Sequence, residues 1–322
     1  MLTFDALADL LKTLRLQTAV FSRAELTAPW GVQIRKDYGY STKFHVVAKG
    51  QSWLQVEGWS APISLSAGDL ILLPNAPTHT FSDTLTSPVV PLEEIPKPQL
   101  VNGFKAVQYG GASPETHSLI VSSGMEFCES MHNPLLAALP LLIHIQSQAG
   151  RSMPWLRTYL ESLECEIASN FPGRQTVLTR LAEILFVQTL RAYLMQLPQP
   201  GGWLRALIEP GISVALGLMH RHPQQQWTVA LLAQQASMSR SSFAARFTQV
   251  VGTPPLRYLT QWRMVLASSF LLDEHWTLQE IALRVGYDSE VAFSQAFKRW
   301  HKCPPGAYRR QYLDRSTRSK VN

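Results

Sequence analysis

A chain of 322 residues with 46% hydrophobic content is long enough for two or three folded domains and too apolar to be a disordered tail. Its net charge of +6 is unevenly spread, because residues 1–200 hold 14 Lys+Arg against 16 Asp+Glu and residues 201–322 hold 15 against 7. A mildly acidic front and a basic end fit a sensing domain joined to a polyanion binder, although charge alone would also suit a membrane surface.

The chain opens Met1-Leu2-Thr3-Phe4-Asp5, with acids at Asp5 and Asp9, and shows no secretory signal pattern. The most apolar run, Leu135 to Ile145, is interrupted by Pro140 and His144 and is too short to span a bilayer. A cytoplasmic protein without a membrane partner is expected. Cys128, Cys165 and Cys303 form no Cys-x-x-Cys pair, so buried reduced thiols are expected rather than a zinc knuckle or a disulfide framework.

An amphipathic helix is predicted from about Phe4 to Leu14. Short strands follow at Phe44–Val47, Trp53–Val56, Ile63–Leu65 and Leu70–Leu73, separated by Lys49-Gly50, Glu57-Gly58 and Ala67-Gly68-Asp69. Even spacing with Gly-containing turns predicts a small antiparallel barrel or sandwich, and the segment Pro88 to Pro98 reads as an irregular loop. From Pro134 to Leu197 the period becomes helical, through Leu178, Leu181, Leu185, Leu190, Leu194 and Leu197. Ile184, Phe186 and Val187 make this segment apolar on more than one face, so it either packs on the barrel or pairs with a second copy. Pro198 to Gly202 marks a boundary. The resulting division is a sensor domain at 1–132, a helical segment at 133–197, a helical domain at 203–313 and a basic tail at 314–322.

The last third contains a tandem repeat. Trp227-Thr228-Val229, Ser237-Met238-Ser239, Phe243, Phe247, Pro254-Pro255 and Tyr258 return as Trp276-Thr277-Leu278, Gly286-Tyr287-Asp288, Phe293, Phe297, Pro304-Pro305 and Tyr308. The offset is 49 positions before the turn (277 − 228) and 50 after it (293 − 243), so the second turn has one extra residue. Two helix-turn-helix units are predicted, with Thr228 as an N-cap and Thr277 with Glu280 as a capping box. Phe243 with Phe247, and Phe293 with Phe297, fix the inward face of each second helix. The outward faces then carry Ser241, Ser242, Ala245, Thr248 and Gln249, and Val291, Ala292, Gln295, Lys298 and Arg299. Between the units, Leu256 to Leu272 reads as one helix about 25 Å long, stiff enough to hold two readers one turn of DNA apart.

Over Trp203 to Arg310 the chain closely resembles the AraC/XylS family of bacterial transcriptional regulators. The resemblance lies in Trp227 to Arg240, in Pro255 to Met264, and above all in Glu280 to Glu290 with its continuation Ala292 to Arg299. The first half is similar to the cupin-type sensor of one branch of that family, at Gly68 to Pro74 and Pro134 to Pro140. The resemblance implies an α+β protein: a cupin-like β-barrel, a helical segment and a double helix-turn-helix domain. It implies double-stranded DNA as partner, an unknown small-molecule effector, and RNA polymerase if the outcome is activation, while a homodimer through residues 134–197 is one of the two fates open to the helical segment.

Base-facing roles fall to Ser241, Ser242, Ala245, Val291, Ser294 and Gln295, and phosphate contacts to Arg240, Arg246, Lys298 and Arg299. Family members commonly carry a long basic residue at the groove-facing centre of both recognition helices, where this chain has Ala245 and Gln295. Trp30, His45, Trp53 and His79 are the expected lining of an effector pocket. His45 and His79 stand about where cupins place metal ligands. With at most Glu57 beside them they make a poor cluster, so no metal, cofactor or catalytic residue is expected. The alternative is a metal-dependent cupin enzyme fused to a DNA-binding module. A DNA-alkylation repair protein would need a reactive cysteine in a metal-like cluster, which Cys303 beside Pro304 does not supply.

Overall fold

The computed structural model describes residues 6–14, 16–36, 40–96, 99–101, 104–111, 117–127, 136, 139–147, 154–168, 171–196, 202–273 and 275–318. It divides into two compact units, one of residues 15–130 with 139–198, the other of residues 1–14, 131–138 and 199–322.

The first unit is built on two sheets. Strands β1 (Leu16–Thr27), β3 (Thr42–Lys49), β6 (Leu70–Leu73), β9 (Gln99–Val101), β10 (Phe104–Gly110), β11 (His117–Phe127) and β12 (Ile143–Ile145) form one. Their order is β12-β6-β3-β11-β1-β10-β9. The other holds β2 (Gly31–Ile34), β4 (Gln51–Val56), β5 (Ile63–Ser66), β7 (His79–Ser82) and β8 (Val90–Pro91), in the order β5-β4-β7-β2-β8. The central strand β3 buries Thr42 to Val47 without a break, whereas β4 alternates, with Ser52, Leu54 and Val56 buried and Gln51 and Gln55 exposed. Leu26, Val32, Val47, Leu54, Leu65, Ile71 and Phe81 share one core.

The sheets are mixed, which corrects the purely antiparallel expectation: β1 pairs in parallel with β10, and β2 with β8. Hydrophobic alternation gives a strand's faces but not the direction of its neighbour. The Pro-rich segment is also more ordered than a loop, since β8 leads into a 3₁₀ turn at Leu92–Glu94.

Within the expected helical stretch, residues 143–145 instead form β12 on the edge of β6. Pro140 bars a helix there, and burial alternates along Ile143, His144 and Ile145. Asp69, in the turn before β6, holds this edge: its carboxylate accepts from Ser147 N–H at 2.7 Å and faces His144 Nε2 at 3.1 Å. Helices α2 (Pro154–Ala168) and α3 (Arg174–Gln196) follow. α3 packs on β1 and β12, burying Leu178, Ala182, Leu185 and Phe186. Phe186 meets Phe44 and Phe127 with ring centroids 6.2 and 5.1 Å apart, a burial worth about 1.5–3 kcal/mol. Barrel packing, one of the two fates the period allowed, is realised. The far side of α3 leaves Val177, Ile184 and Met195 exposed. Leu197 and Pro134 lie outside the described residues. The thiols differ from expectation: Cys165 is exposed on α2 and Cys303 half-buried, while Cys128 is outside the described residues.

The second unit contains α1 (Ala6–Thr13), α4 (Gly202–Ala206), α5 (Pro210–Arg221), α6 (Val229–Gln235), α7 (Arg240–Val251), α8 (Pro255–Leu271), α9 (Leu278–Arg284), α10 (Glu290–His301) and α11 (Pro305–Arg318). The opening helix clusters with this unit by contact: α1 packs on α5 and α8, and Asp9 pairs with Arg221 at 3.4 Å. α11 continues to Arg318, so residues 314–318 are helical where a tail was expected. Among the described residues, no helix is long and apolar enough to cross a membrane.

Candidate nucleic-acid interface and sensor cavity

Both helices of each helix-turn-helix unit start at a hydroxyl that satisfies a free amide. Thr228 accepts from Leu231 N–H at 3.1 Å, Ser239 from Ser242 N–H at 3.2 Å, and Ser289 from Ala292 N–H at 3.2 Å. Thr277 and Glu280 form the reciprocal capping box. The turns need a left-handed residue. Gly286 supplies it freely at φ 82°, whereas Ser237 adopts φ 55° at a small conformational cost.

Two aromatic triads lock the second helices. Phe243 and Phe247 are fully buried with centroids 5.5 Å apart, and Phe247 meets Tyr258 at 5.9 Å. Phe293 and Phe297 repeat this at 5.7 Å, and Phe297 meets Tyr308 at 5.3 Å. With these rings inward, Ser241, Ser242, Ala245, Thr248 and Gln249 are exposed on α7, and Val291, Ala292, Gln295, Lys298 and Arg299 on α10. Ser294 is half-buried. Gln295 and Arg299 open onto a groove that Tyr287 and Trp300 also line.

One side chain ties the two copies together. Arg263 of α8 donates from Nε to Pro223 O at 2.8 Å and from Nη2 to Gln225 O at 3.0 Å, in the loop before α6. Its guanidinium also lies 5.9 Å from the Tyr287 ring centroid. Gly286 permits this approach, since a Cβ there would stand 2.6 Å from the Arg263 Nη2 and 2.8 Å from Pro223 O.

A buried histidine stiffens the same unit. His220 stacks on Trp262 at 4.1 Å, its Nε2 lies 2.8 Å from the Tyr258 hydroxyl, and burial pushes its pKa down to about 3. The unfolded chain therefore binds more protons below about pH 6.5, so stability is full above that pH and is lost as the pH falls toward 3. His220 should account for about 2 kcal/mol of the stability lost between pH 7 and pH 5 in urea titration, and His220→Gln should lessen the pH dependence by about that amount. An unchanged slope would show that His220 is not the group responsible.

In the first unit, a cavity of about 130 Å³ opens between the sheets. Strand pairing sets its floor: Lys43 lies opposite Gly124, His45 opposite Ser122, and Ser122 opposite Ser22. Lys43, His45, Ser22 and Ser122 thus share one end of the lining, while Ala24, Leu26, Val32, Val107 and Ile120 make the rest apolar. Behind His45 lies His79, with the two Nε2 atoms 3.1 Å apart. His79 Nδ1 faces the Pro77 carbonyl at 2.7 Å, so it carries the proton and donates. The His79 Nε2 then accepts from His45 Nε2–H, and His45 Nδ1 accepts from the Ser122 hydroxyl at 2.8 Å. Burial lowers both histidine pKa values, that of His79 to about 4, which keeps both rings neutral. Among the described residues no group of three or more His, Cys, Asp or Glu could hold a metal.

The Cupin family model matches residues 5–195 and the Helix-turn-helix domain model matches residues 232–311. The HTH-type transcriptional regulator AlkR of Acinetobacter baylyi is 33% identical over 310 residues, 95% of this chain and 99% of that protein. A Streptomyces lividans protein named as an AraC-like transcription regulator is 34% identical over 310 residues, 95% of this chain and 98% of its own. This chain belongs to the AraC-like transcription regulators. Among solved structures, it is similar to the DNA-binding domain of AdpA in complex with a target DNA. The identity is 33%, covering 33% of this chain and 96% of that one, with a TM-score of 0.31.

As an AraC-like regulator, the chain binds DNA through its helix-turn-helix domain and carries a cupin-like domain ahead of it. Several expected site residues are placed differently. Arg246, expected at a phosphate, is held by Glu209, which accepts from its Nε at 2.6 Å and its Nη2 at 2.7 Å. Glu209 precedes α5 and also accepts from Arg205 at 3.0 Å, and the hydrogen bonds from Arg246 hold its carboxyl below the usual range. Arg240, Lys298 and Arg299 are exposed. Of the four expected pocket residues, only His45 lines the cavity. Trp30 is 1% exposed within the barrel core, and Trp53 shares the outer face of β4 with Gln51 and Gln55. Glu57 is exposed beyond the end of β4. Sequence reasoning missed Lys43, whose signal was its place two residues before His45 and therefore on the same face of the strand.

Proposed function

We propose that this regulator reads two adjacent major grooves of one duplex through α7 and α10, and that a small molecule in the sensor cavity sets its affinity. The reading rests on two outward-facing second helices with matching aromatic anchors, joined by α8 and braced by Arg263. Ser241, Ser242 and Ala245 meet bases from α7, and Val291, Ser294 and Gln295 from α10. Ala245 and Val291 offer apolar contact to thymine methyl groups, while Gln295 pairs with adenine N6 and N7. Arg240, Lys298 and Arg299 meet phosphates, and Arg246 is assigned to the scaffold.

Selection from randomised duplexes tests this assignment. Gln295→Ala should relax preference at one base pair by about 1–3 kcal/mol and leave the others intact, and unchanged discrimination would remove Gln295 as a reader.

The effector acts by differential affinity for two arrangements of the chain, which bounds the strength of the switch. A homodimer through the exposed side of α3 is supported by Val177, Ile184 and Met195 on that helix. An activating outcome adds RNA polymerase as a partner, and the place of action is the cytoplasm. The enzyme alternative is disfavoured because His45 and His79 spend their nitrogens on each other, Ser122 and Pro77.

A further inference from the structure

We infer that Gln249 donates its side-chain amide to a phosphate of the duplex, and that Arg246, held by Glu209, fixes that amide with its N–H groups outward. This rests on the reading of α7 as a helix that enters the groove. Gln249 is exposed in the last turn of α7, on the outward face that Ala245 shares one turn earlier. Base edges are met from the first turns of a recognition helix, so its end lies over the DNA backbone. After the turn the repeat is offset by 50 positions, which matches Gln249 to Arg299 and Arg246 to Ala296 (299 − 249 and 296 − 246). Both copies thus present nitrogen donors at the same outward position.

Hydrogen-bond chemistry sets the polarity of the amide. Arg246 donates from Nη1 to the Gln249 side chain at 2.8 Å, and a guanidinium has donors only, so the atom facing it is the oxygen Oε1. The Nε2 amide, with its two N–H groups, therefore turns away from Arg246. Arg246 keeps its place because its other edge is occupied: Glu209, at the entry to α5, accepts from Nε at 2.6 Å and from Nη2 at 2.7 Å. Arg205 of α4 steadies the same carboxylate at 3.0 Å. Occupying Oε1 removes the donor–acceptor pair with which a glutamine reads adenine N6 and N7. What remains is a pair of donors, which suits phosphate oxygens.

Charge separates the two copies. Arg299 carries a cation to its phosphate and releases a counterion, whereas the Arg246 charge is paired within the protein and the Gln249 amide is neutral. The first reader thus gains a backbone contact that adds no salt dependence of its own.

Fluorescence anisotropy of the full chain on a selected duplex and on one of unrelated sequence, each over a series of KCl concentrations, tests this. Gln249→Ala should weaken both complexes by about tenfold and leave the slope of log affinity against log salt unchanged. Gln249→Arg should restore the affinity at low salt and steepen the slope by about 0.9. Arg246→Lys keeps the ion pair with Glu209, but a lysine lacks the fork that also reaches Gln249. It should weaken binding by about three- to fivefold in the parent and not at all in the Gln249→Ala background, a coupling that a merely structural role would not produce. Equal losses in both backgrounds overturn the positioning role of Arg246. A loss in Gln249→Ala confined to the selected duplex makes Gln249 a base reader and overturns the phosphate assignment. Unchanged affinity in Gln249→Ala also overturns it, and the reading of α7 survives if Arg240→Met still flattens the salt slope by about 0.9. Unchanged binding in both Gln249→Ala and Arg240→Met overturns the assignment and the reading of α7 together.

Discussion

Phe297→Ala should cost about 3–5 kcal/mol and melt the second helix-turn-helix while leaving the first folded. The ring is fully buried and meets Phe293, His301 and Tyr308 at 5.7, 4.3 and 5.3 Å, so its removal leaves a cavity where α10 meets α11. A thermal melt should show a new early transition, and the affinity for a selected duplex should fall by two orders of magnitude or more, because only one reader remains. A single cooperative transition with wild-type affinity would show that the second aromatic triad does not hold α10.

Arg263→Met should act differently, weakening DNA binding by about ten- to a hundredfold with little change in helix content. The guanidinium makes two charge-assisted bonds to the carbonyls of Pro223 and Gln225, each worth about 1.5–3 kcal/mol, and it reaches the turn of the other copy at Tyr287. Without it each unit keeps its own core, but the angle between the readers is no longer fixed, and ordering them on DNA costs affinity. Fluorescence anisotropy with a two-groove duplex and with a single-groove duplex separates the effects. The loss should appear on the first and be small on the second. Equal losses on both would show that Arg263 supports one unit alone.

What the sequence revealed follows the distance over which each feature is determined. The tandem repeat was legible because its aromatic spacing, caps and turn residues are local: Thr277 and Glu280 bond within one turn, and Phe293 and Phe297 share a face by helical period. The fate of Arg246 was not legible, because its partner Glu209 lies 37 residues away and only the packing of α5 near α7 brings them together. The strand phase was half legible. Leu54 and Val56 point inward, which puts Trp53 outside, yet the size of the indole drew attention to it over Lys43. Parallel pairing of β1 with β10 leaves no local mark at all, since it depends on where the chain returns.

The central claim is that one chain seats two readers on successive major grooves, and hydroxyl-radical footprinting of a selected duplex tests it most directly. The account predicts two protected tracts on one face of the DNA, about 10–10.5 base pairs apart, with Gln295→Ala affecting only one of them. A single protected tract, or two tracts on opposite faces, would contradict it.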